Sequence, residues 1–255
     1  MPSRIPGPVC QFLRYMPIDA GTLARVCAPP PGPVKPKVPK KSSSNISRPS
    51  AATAEDSLLS NYAILFLACE INPTHFQQVD NIIKKIQANS ARYLKVADLS
   101  GVPWYVVAVI HNMESSLDFT KHLHNGDPLT QRTIHVPAGR PKAGNPPFTW
   151  EESAVDALSM KNFDSDWSLP ATLKKLEDYN GTGYRKYHPT VNTPYLWSGS
   201  NQYTSGKYVA DGDFSSTAIS NQIGAAVILK RMMDQGIIPP FLVPAPDIYD
   251  STAYA

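Results

Sequence analysis

Residues 104–116 read WYVVAVIHNMESS, and this stretch decides the fold predicted for the chain. Apolar side chains in it project from every side of a helix, so the helix should be buried rather than lie on the surface. Pro103 comes directly before it and suits the first turn of a helix. A helix enclosed in this way needs other helices packed around it, and helical patterns occur on both sides of it in the chain.

Six further helices are predicted from apolar residues at helical spacing and from capping signals. One of them is capped by Thr74, and the last one carries Ile219, Ile223, Val227 and Met233 on its buried face. The predicted ranges are 57–70, the helix that follows Thr74, 91–99, 149–159, 169–179 and 216–236. No strand pattern competes with the helical one, so the predicted fold class is mainly α.

Two long segments without helical period interrupt the predicted helices. Residues 117–150 are punctuated by Gly and Pro, and residues 182–214 are rich in aromatic side chains. Long loops in a compact domain commonly carry function. A binding or catalytic site is therefore expected at these two loops.

The composition indicates a folded body that follows an unusual N-terminal segment. The 255 residues are 42% hydrophobic and 18% charged, which supports a core and excludes a wholly disordered or fibrous chain. Residues 1–50 hold eleven of the 25 prolines, and eight basic residues against one acid. We therefore predict a Pro-rich, basic, extended arm over 1–50, a helical domain over 51–238 and a Pro-rich tail over 239–255.

Several classes of protein are disfavoured by the sequence. No apolar run approaches the ~18 residues of a membrane span, and the N-terminus lacks the apolar core of a secretory signal. The basic residues of the arm have few aromatic residues among them, so no nucleic-acid partner is expected. Cys10 and Cys27 either form a bridge or, like Cys69, stay free thiols.

Glu114 is the candidate catalytic residue. It lies at the end of an apolar helix, where the low dielectric and the negative end of the helix dipole both favour the protonated carboxyl. A carboxylic acid with a raised pKa can protonate a glycosidic oxygen. The alternative for the same residue is a solvated glutamate at a helix end, without a catalytic role.

Candidate substrate-binding residues come from the two loops and from the end of the helix predicted over 169–179. Flat aromatic rings interleaved with Asn, Ser and Gly suit the faces and hydroxyls of sugars, with Tyr195, Trp197 and Tyr203 as the candidates for stacking. The alternative is an aromatic cluster that only packs the loop. The predicted set is Asp127, Arg132, His135, Tyr179, Asn180, Gly181, Tyr195, Trp197 and Tyr203.

Five blocks of sequence, in this order along the body, resemble a lysozyme-like peptidoglycan-hydrolase family of phages and bacteria. They are IHNMESS (110–116), HLHNGDPLTQRTIHVPAGRP (122–141), FTWEESAVDAL (148–158), LEDYNGTGY (176–184) and Y-x-W-x-G-x-x-x-Y-x-S-G-K-Y-x-x-D-G (195–212). The resemblance implies a helical, lysozyme-like fold and the role of catalytic glutamate for Glu114. Family members often carry a glutamate where this chain has Asn112, which changes the electrostatic surroundings of Glu114.

The sequence leaves open which group acts together with Glu114. Asp118, Asp127 and Glu151 are the candidate second carboxylates that a hydrolase would need. A lytic transglycosylase needs no second carboxylate, because a hydroxyl of the substrate attacks.

Other catalytic chemistries have weak signals. Ser115 is not part of a G-x-S-x-G motif, so it is not predicted to be a nucleophile. His122 and His124 stand two residues apart without a third obvious ligand, so no metal site is predicted. No cofactor is expected.

The predicted function is that of a glycosidase cleaving the β-1,4 linkage of peptidoglycan, as a muramidase or a lytic transglycosylase. Its partners would be glycan strands and, through residues 1–50, other proteins of a phage tail or baseplate. The expected location is therefore the virion, with action in the bacterial cell envelope. The alternatives are a structural or glycan-binding virion component with little activity, and a free endolysin.

Overall fold

The structure, a computed structural model, describes residues 51–241 of the chain. The arm predicted over 1–50 lies outside the described residues, and so does the predicted tail apart from residues 239–241. The chain divides into two compact units. The first contains the described residues up to Ala68, and the second begins at Cys69 and contains all the remaining described elements.

The described chain is mainly α-helical, as the sequence predicts, with one small two-stranded antiparallel sheet. Helix α1 (Ala51–Leu67) belongs to the first unit, and a short 3-10 turn (Pro73–His75) opens the second. The other elements are α2 (Phe76–Ala88), α3 (Ser90–Ser100), α4 (Trp104–Ser115), α5 (Trp150–Ser159), α6 (Leu169–Asn180), α7 (Gly183–Tyr187), α8 (Pro194–Trp197), β1 (Lys207–Ala210), β2 (Asp213–Ser215) and α9 (Ala225–Asp234).

Helix α4 lies at the centre of the second unit. Every residue from Val106 to Met113 is buried, as expected for a helix that is apolar on all sides. Helices α3 and α9 pack against it, α5 packs against α3, and α2 and α8 pack against α9. The C-terminal end of α4, where Glu114 lies, is therefore held by packing along the whole helix.

Capping residues in the sequence predict the ends of the helices α3, α5 and α6 to within about a residue. Thr149 precedes α5 and forms a reciprocal capping box with Glu152, in which each side chain accepts a backbone N–H of the other. Pro170 occupies the first turn of α6, and Gly101 ends α3 in the left-handed conformation. The first two helices differ from their predicted bounds. Helix α1 spans Ala51–Leu67, and Asn72 rather than Thr74 supplies the cap, for a 3-10 turn that precedes α2.

The last helix is shorter than predicted. It begins at Ala225 rather than at residue 216, and Ile219, predicted to be buried, is 59% exposed. The backbone of the preceding segment is engaged elsewhere: the Ala218 carbonyl accepts from Gly206 N–H, and the Ser220 carbonyl accepts from Ser198 Oγ. These non-local bonds replace the intrahelical ones, which is why residues 216–224 do not continue the helix.

The aromatic loop predicted over 182–214 contains two short helices, α7 and α8, and one hairpin, although the sequence analysis expected no strand. Strands β1 and β2 pair in antiparallel register, with Tyr208 opposite Phe214. The two rings meet edge to face at 5.5 Å, and His188 stacks on Phe214 at 3.5 Å. Cross-strand aromatic contacts of this kind stabilise a pair of strands too short to carry a clear periodic pattern.

Among residues 51–241, no single helix is long and apolar enough to cross a membrane. Helices α3 and α4 reach that length and composition only when they are taken together, and they meet at a bend of 110°.

Candidate active site

Glu114 and Tyr195 form a direct contact at the C-terminal end of α4. The phenol of Tyr195 donates a hydrogen bond to Oε1 of Glu114 at 2.9 Å. Tyr195 is 8% exposed, while Glu114 lies at the boundary between the interior and the surface. The carboxyl group is therefore shielded from bulk water but still lies close to the surface of the protein.

Burial raises the pKa of Glu114 above its usual range. The hydrogen bond from Tyr195 and the positive charge of Lys161 act in the opposite direction and lower it, but burial outweighs them. The carboxyl group consequently keeps its proton to a higher pH than an ordinary glutamate. This is the property required of a general acid.

Tyr195 is held by its short helix. Thr193 precedes α8 and its hydroxyl accepts the backbone N–H of Tyr195 at 3.3 Å, while α8 packs against α6 and α9. Burial, together with the neighbouring Glu114 carboxyl, raises the pKa of the Tyr195 phenol well above its usual range. The phenol therefore remains a hydrogen-bond donor across the whole physiological range of pH.

Tyr179, at the end of α6, lies close enough to the same carboxyl group to feel its charge. Its hydroxyl donates to the carbonyl oxygen of Leu123 at 3.2 Å, which ties α6 to the loop after α4. Burial and the field of Glu114 both raise the pKa of Tyr179. The structure thus brings together three of the predicted site residues, namely Glu114, Tyr179 and Tyr195.

Asn180 and Gly181 follow Tyr179 directly and form the turn that ends α6. Gly181 has φ +110° and ψ 155°, a conformation that is essentially restricted to glycine. Arg185 contacts both Glu177 and Asp178 from the far side of this turn. These ion pairs stabilise the end of α6, where Asn180 and Gly181 follow Tyr179.

Lys161 is a site residue that the sequence analysis did not identify. Its ammonium group donates to the carbonyl oxygen of Tyr179 at 3.3 Å and lies 4.1 Å from the centre of the Tyr179 ring. Burial lowers the pKa of Lys161, while the fields of Glu114 and Asp178 raise it, with a net lowering. A single lysine beyond the end of a helix has no sequence signal that connects it with Glu114.

The backbone two and three residues after Glu114 is in an unusual conformation. Ser116 and Leu117 have φ of 55° and 63°, and their N–H groups bond to the carbonyl oxygens of Asn112 and His111. Left-handed residues other than glycine carry strain and cluster at functional sites. This turn ends α4 immediately after the candidate acid and directs the chain away from it.

Asp127 and His135, both predicted to bind substrate, contact each other and organise their loop, with the His135 side chain 74% exposed. The two oxygens of Asp127 accept from Nδ1 of His135 at 2.6 Å and from the backbone N–H groups of Ile134 and His135. Burial alone would raise the pKa of Asp127, but these hydrogen bonds outweigh it and lower the pKa to about 2. Asp127 is therefore an ionised, fully engaged carboxylate rather than a free second catalytic group.

The other two candidate second carboxylates are also engaged elsewhere. Asp118 accepts two hydrogen bonds from Thr120, and these bonds lower the pKa of its carboxyl group. Asp118 also lies near the surface. Glu151 forms a bidentate ion pair with Arg92 at 2.7 and 3.0 Å. The charged group whose field acts on Glu114 is the Lys161 ammonium rather than a second carboxylate.

Three further predicted binding residues are used in packing. Trp197 is 1% exposed, so its ring offers no face on which a sugar could stack. Tyr203 is 9% exposed, and its hydroxyl bonds to Gly206 and Ser220. Arg132 donates to the Gly144 carbonyl at 2.8 Å and lies over a neighbouring aromatic ring. For these positions the arrangement supports the packing alternative rather than direct contact with a glycan.

His122 and His124 are hydrogen-bonded within the protein. His122 contacts Ser153 at 2.8 Å, and His124 contacts Asp156 at 2.8 Å. In the part of the chain that the structure describes, no group of three His, Cys, Asp or Glu side chains is arranged to hold a metal ion. Burial lowers the pKa of His111 to about 4, so this ring is neutral in the core.

The fold and the site define a mainly helical protein with a shielded carboxyl group that accepts a hydrogen bond from Tyr195 and interacts electrostatically with Tyr179 and Lys161. Comparisons with models of protein families, with curated proteins and with solved structures find no match to this chain. The assignment of a function therefore depends on the site itself.

Proposed function

We propose that the protein is a lysozyme-like glycosidase that cleaves the β-1,4 linkage of peptidoglycan, with Glu114 as its general acid. The observation that carries the proposal is the shielded Glu114 carboxyl, which Tyr195 holds at 2.9 Å at the end of a buried helix. Burial raises the pKa of this carboxyl group, so it keeps its proton to a higher pH than an ordinary glutamate would. The order of the five sequence blocks supports the same fold and activity.

The first step of the proposed reaction is the transfer of the Glu114 proton to the glycosidic oxygen. The bond between that oxygen and the anomeric carbon breaks, the leaving sugar departs as an alcohol, and positive charge develops on the ring. Glu114 is then a carboxylate and can accept a proton from the group that attacks the anomeric carbon. One residue thus acts as acid and then as base.

The group that attacks is proposed to be the C6 hydroxyl of the substrate itself. Asp118, Asp127 and Glu151 are all engaged by other partners. A reaction with one carboxyl group fits attack by an internal hydroxyl, which forms a new ring on the sugar and returns the proton to Glu114. This is the lytic transglycosylase reaction.

Tyr179, Asn180 and Gly181 are proposed to form the rim of the glycan cleft beside Glu114. Asn180 is exposed, Gly181 is half-buried, and the turn that carries them is held by ion pairs. A rigid rim with a polar amide suits the hydroxyl and acetamido groups of a glycan. Asp127, Arg132 and His135 would act at a distance, by shaping the loop that packs against α5.

The test of the activity is digestion of purified bacterial cell walls by the full-length protein, followed by mass analysis of the products. Attack by the substrate's own hydroxyl yields fragments with an anhydro end, whereas hydrolysis yields fragments heavier by one water. Fragments of the second kind would show that a hydrolase mechanism operates. The absence of any cleavage would favour a structural or glycan-binding component.

Tyr195→Phe should shift the pH dependence of wall cleavage. The hydrogen bond from Tyr195 lowers the pKa of Glu114, so its loss raises that pKa further. Because the acid must be protonated to act, the alkaline limb of the profile should move to higher pH. Tyr203→Phe is the matched control, since within residues 51–241 its hydroxyl bonds only to loop backbone. An unmoved or acid-shifted limb would contradict this use of Tyr195.

The N-terminal arm is proposed to attach the enzyme to a larger particle such as a phage tail or baseplate. Residues 1–50, which lie outside the described residues, carry eight basic side chains against one acid and therefore favour an acidic partner surface.

A truncation that starts at Ala51 should retain activity on isolated cell walls but no longer co-purify with assembled particles. Attachment of the full chain should weaken as salt is raised. If the truncated protein still assembles, or if the full chain is found only free, the protein is better described as a released endolysin.

A further inference from the structure

A groove lined by amide and apolar side chains lies beside the end of α4, separate from the contact between Glu114 and Tyr195. It has a volume of about 500 Å³ and is open to the surface. We call it the amide groove, because five of its ten lining residues carry a side-chain amide. Its lining residues are Gln78, Asn81, Ile82, Lys85, Asn112, Ser116, Leu117, Asn221, Gln222 and Ile223.

The chemistry of the amide groove is unlike that of a sugar-binding cleft. No aromatic residue lines it, so it has no flat surface on which a sugar ring could stack. No acidic residue lines it either, and its one charged side chain is Lys85. The ammonium group of Lys85 has no ion-pair partner among residues 51–241, which leaves it available to a carboxylate.

Asn112 is the most deeply placed amide of the groove. Its side chain is more than nine-tenths buried, with 7% exposed. The one contact of its amide with another described side chain is a long one, from Nδ2 to the sulfur of Met113 at 3.9 Å. A buried amide is normally satisfied by hydrogen bonds, so an amide this poorly paired that faces an open groove points to a ligand.

Two of the other amides, those of Asn81 and Gln222, are held in place while each leaves a group available. Asn81 accepts from Gln77 through Oδ1 at 3.0 Å, which leaves its Nδ2 group free to donate. Gln222 donates to the Met113 carbonyl at 2.8 Å, which leaves its Oε1 atom free to accept. Donors and acceptors in fixed positions reduce the ordering cost of binding an extended ligand.

The amide groove is connected to the candidate acid through the backbone. Gln222 bonds to the residue directly before Glu114, and Ser116 and Leu117 follow it in the strained turn. Asn112 lies two positions before Glu114, so the two side chains project on nearly opposite sides of α4. The groove is therefore a neighbour of the glycan cleft and not part of it.

We propose that the amide groove binds a short, extended peptide that carries a free carboxylate. Side-chain amides pair with the N–H and C=O groups of a peptide backbone, and Lys85 pairs with the carboxylate. Ile82, Leu117 and Ile223 supply an apolar floor for small side chains such as alanine. The proposed ligand is thus the stem peptide of peptidoglycan.

The identification of the ligand as the stem peptide rests on the proposed function. The length of a stem peptide is consistent with the distance between Glu114 and the amide groove. A stem of four residues spans roughly 13 Å when extended, at about 3.3 Å per residue. The diameter of a helix with its side chains is roughly 10–12 Å. A stem attached to a sugar beside Glu114 is therefore long enough to pass the end of α4 and enter the groove.

The test is calorimetric titration of the full-length protein with a synthetic stem tetrapeptide whose amino end is acetylated and whose carboxyl end is free. The Kd should rise about tenfold in Lys85→Met, and the wild type should bind the same peptide with a carboxamide end about equally weakly. Lys84→Met is the matched control, since Lys84 is exposed on the same helix but does not line the groove. Asn81→Ala, an exposed position, should also weaken binding.

The titration separates this proposal from the proposed function. Glu114→Gln should bind the tetrapeptide with the Kd of the wild type, so peptide binding by a protein that cleaves no cell wall would support the groove and reject the enzyme. Cleavage of cell walls by a protein that does not bind the tetrapeptide would reject the groove alone. Equal weakening by Lys84→Met and Lys85→Met, or binding of a chitooligosaccharide that depends on Asn81, would also overturn the proposal.

Discussion

Glu114→Gln should lower the rate of cell-wall cleavage by about 10²–10⁴-fold or more. Glutamine has nearly the size of glutamate and can still accept the hydrogen bond from Tyr195, but it has no proton to transfer to a glycosidic oxygen. The measurement is the rate at which the purified full-length variant clears a suspension of cell walls, compared with the wild type.

The variant should also be folded, and its stability gives an independent check. Burial raises the pKa of Glu114 above that of the unfolded chain, so the folded state loses stability as pH rises through this folded-state pKa. Glutamine does not ionise and avoids this loss. Above that pH, Glu114→Gln should therefore melt at the temperature of the wild type or higher.

Asp118→Asn is the matched control for the activity measurement. Asp118 is another carboxyl group near the end of α4, but it bonds to Thr120 and is partly exposed to solvent. Its replacement should leave the cleavage rate within a few-fold of the wild type. If Glu114→Gln clears walls at nearly the wild-type rate, Glu114 is not the acid.

Gly224→Ala should destabilise the second unit by about 3 kcal/mol or more, toward the upper end of what overpacking usually costs. A Cβ atom at this position would lie 2.3 Å from the carbonyl oxygen of Leu196 and 2.7 Å from the backbone nitrogen of Trp197. Both atoms belong to backbone and cannot rotate away as a side chain would. The helices α8 and α9 would have to separate.

The cost at Gly224 is purely steric, which makes the prediction specific. Its φ of −71° and ψ of 152° are accessible to any residue, so alanine adds no backbone strain. Gly183→Ala is the matched control, because a Cβ atom there would meet only the Tyr208 side chain at an ordinary 3.4 Å. Chemical denaturation should separate the two variants clearly.

The substitution Gly224→Ala should also affect the candidate active site. Helix α8 carries Tyr195, so its displacement should lengthen or break the hydrogen bond to Glu114. We expect lower activity even at temperatures where the variant is still folded. A variant with wild-type stability would show that α8 and α9 are not in the close contact described above.

Features that depend on neighbours in sequence were predictable. The burial of α4 follows from its composition, because a helix that is apolar on all sides has no face suited to water. Thr149 and Glu152 are three residues apart, so the capping box before α5 can be seen without any tertiary information. The shielding of Glu114 and the direction of its pKa follow from its place at the end of the buried helix.

Features that depend on distant segments were not predictable to the same degree. The start of the last helix was predicted nine residues too early, because hydrogen bonds to the loop before the hairpin use the backbone of residues 216–224. The sequence of the aromatic loop gives the aromatic residues that are present but not which of their side chains are buried. Tyr195 and Trp197 are both buried, and of the two it is Tyr195 that bonds to Glu114, since positions two residues apart in a short helix point in different directions.

The sequence by itself determined the class of fold, the central helix and the candidate acid, because each depends on local composition and spacing. Tertiary structure alone decided the partners of that acid: Tyr195 is 81 residues away from Glu114 in the chain, and Lys161 affects its pKa without any sequence motif. It also decided that Asp127 is bound within its own loop, and it brought the amides of the groove together from three separate segments. Such arrangements depend on how helices pack, and packing joins residues whose separation along the chain carries no signal.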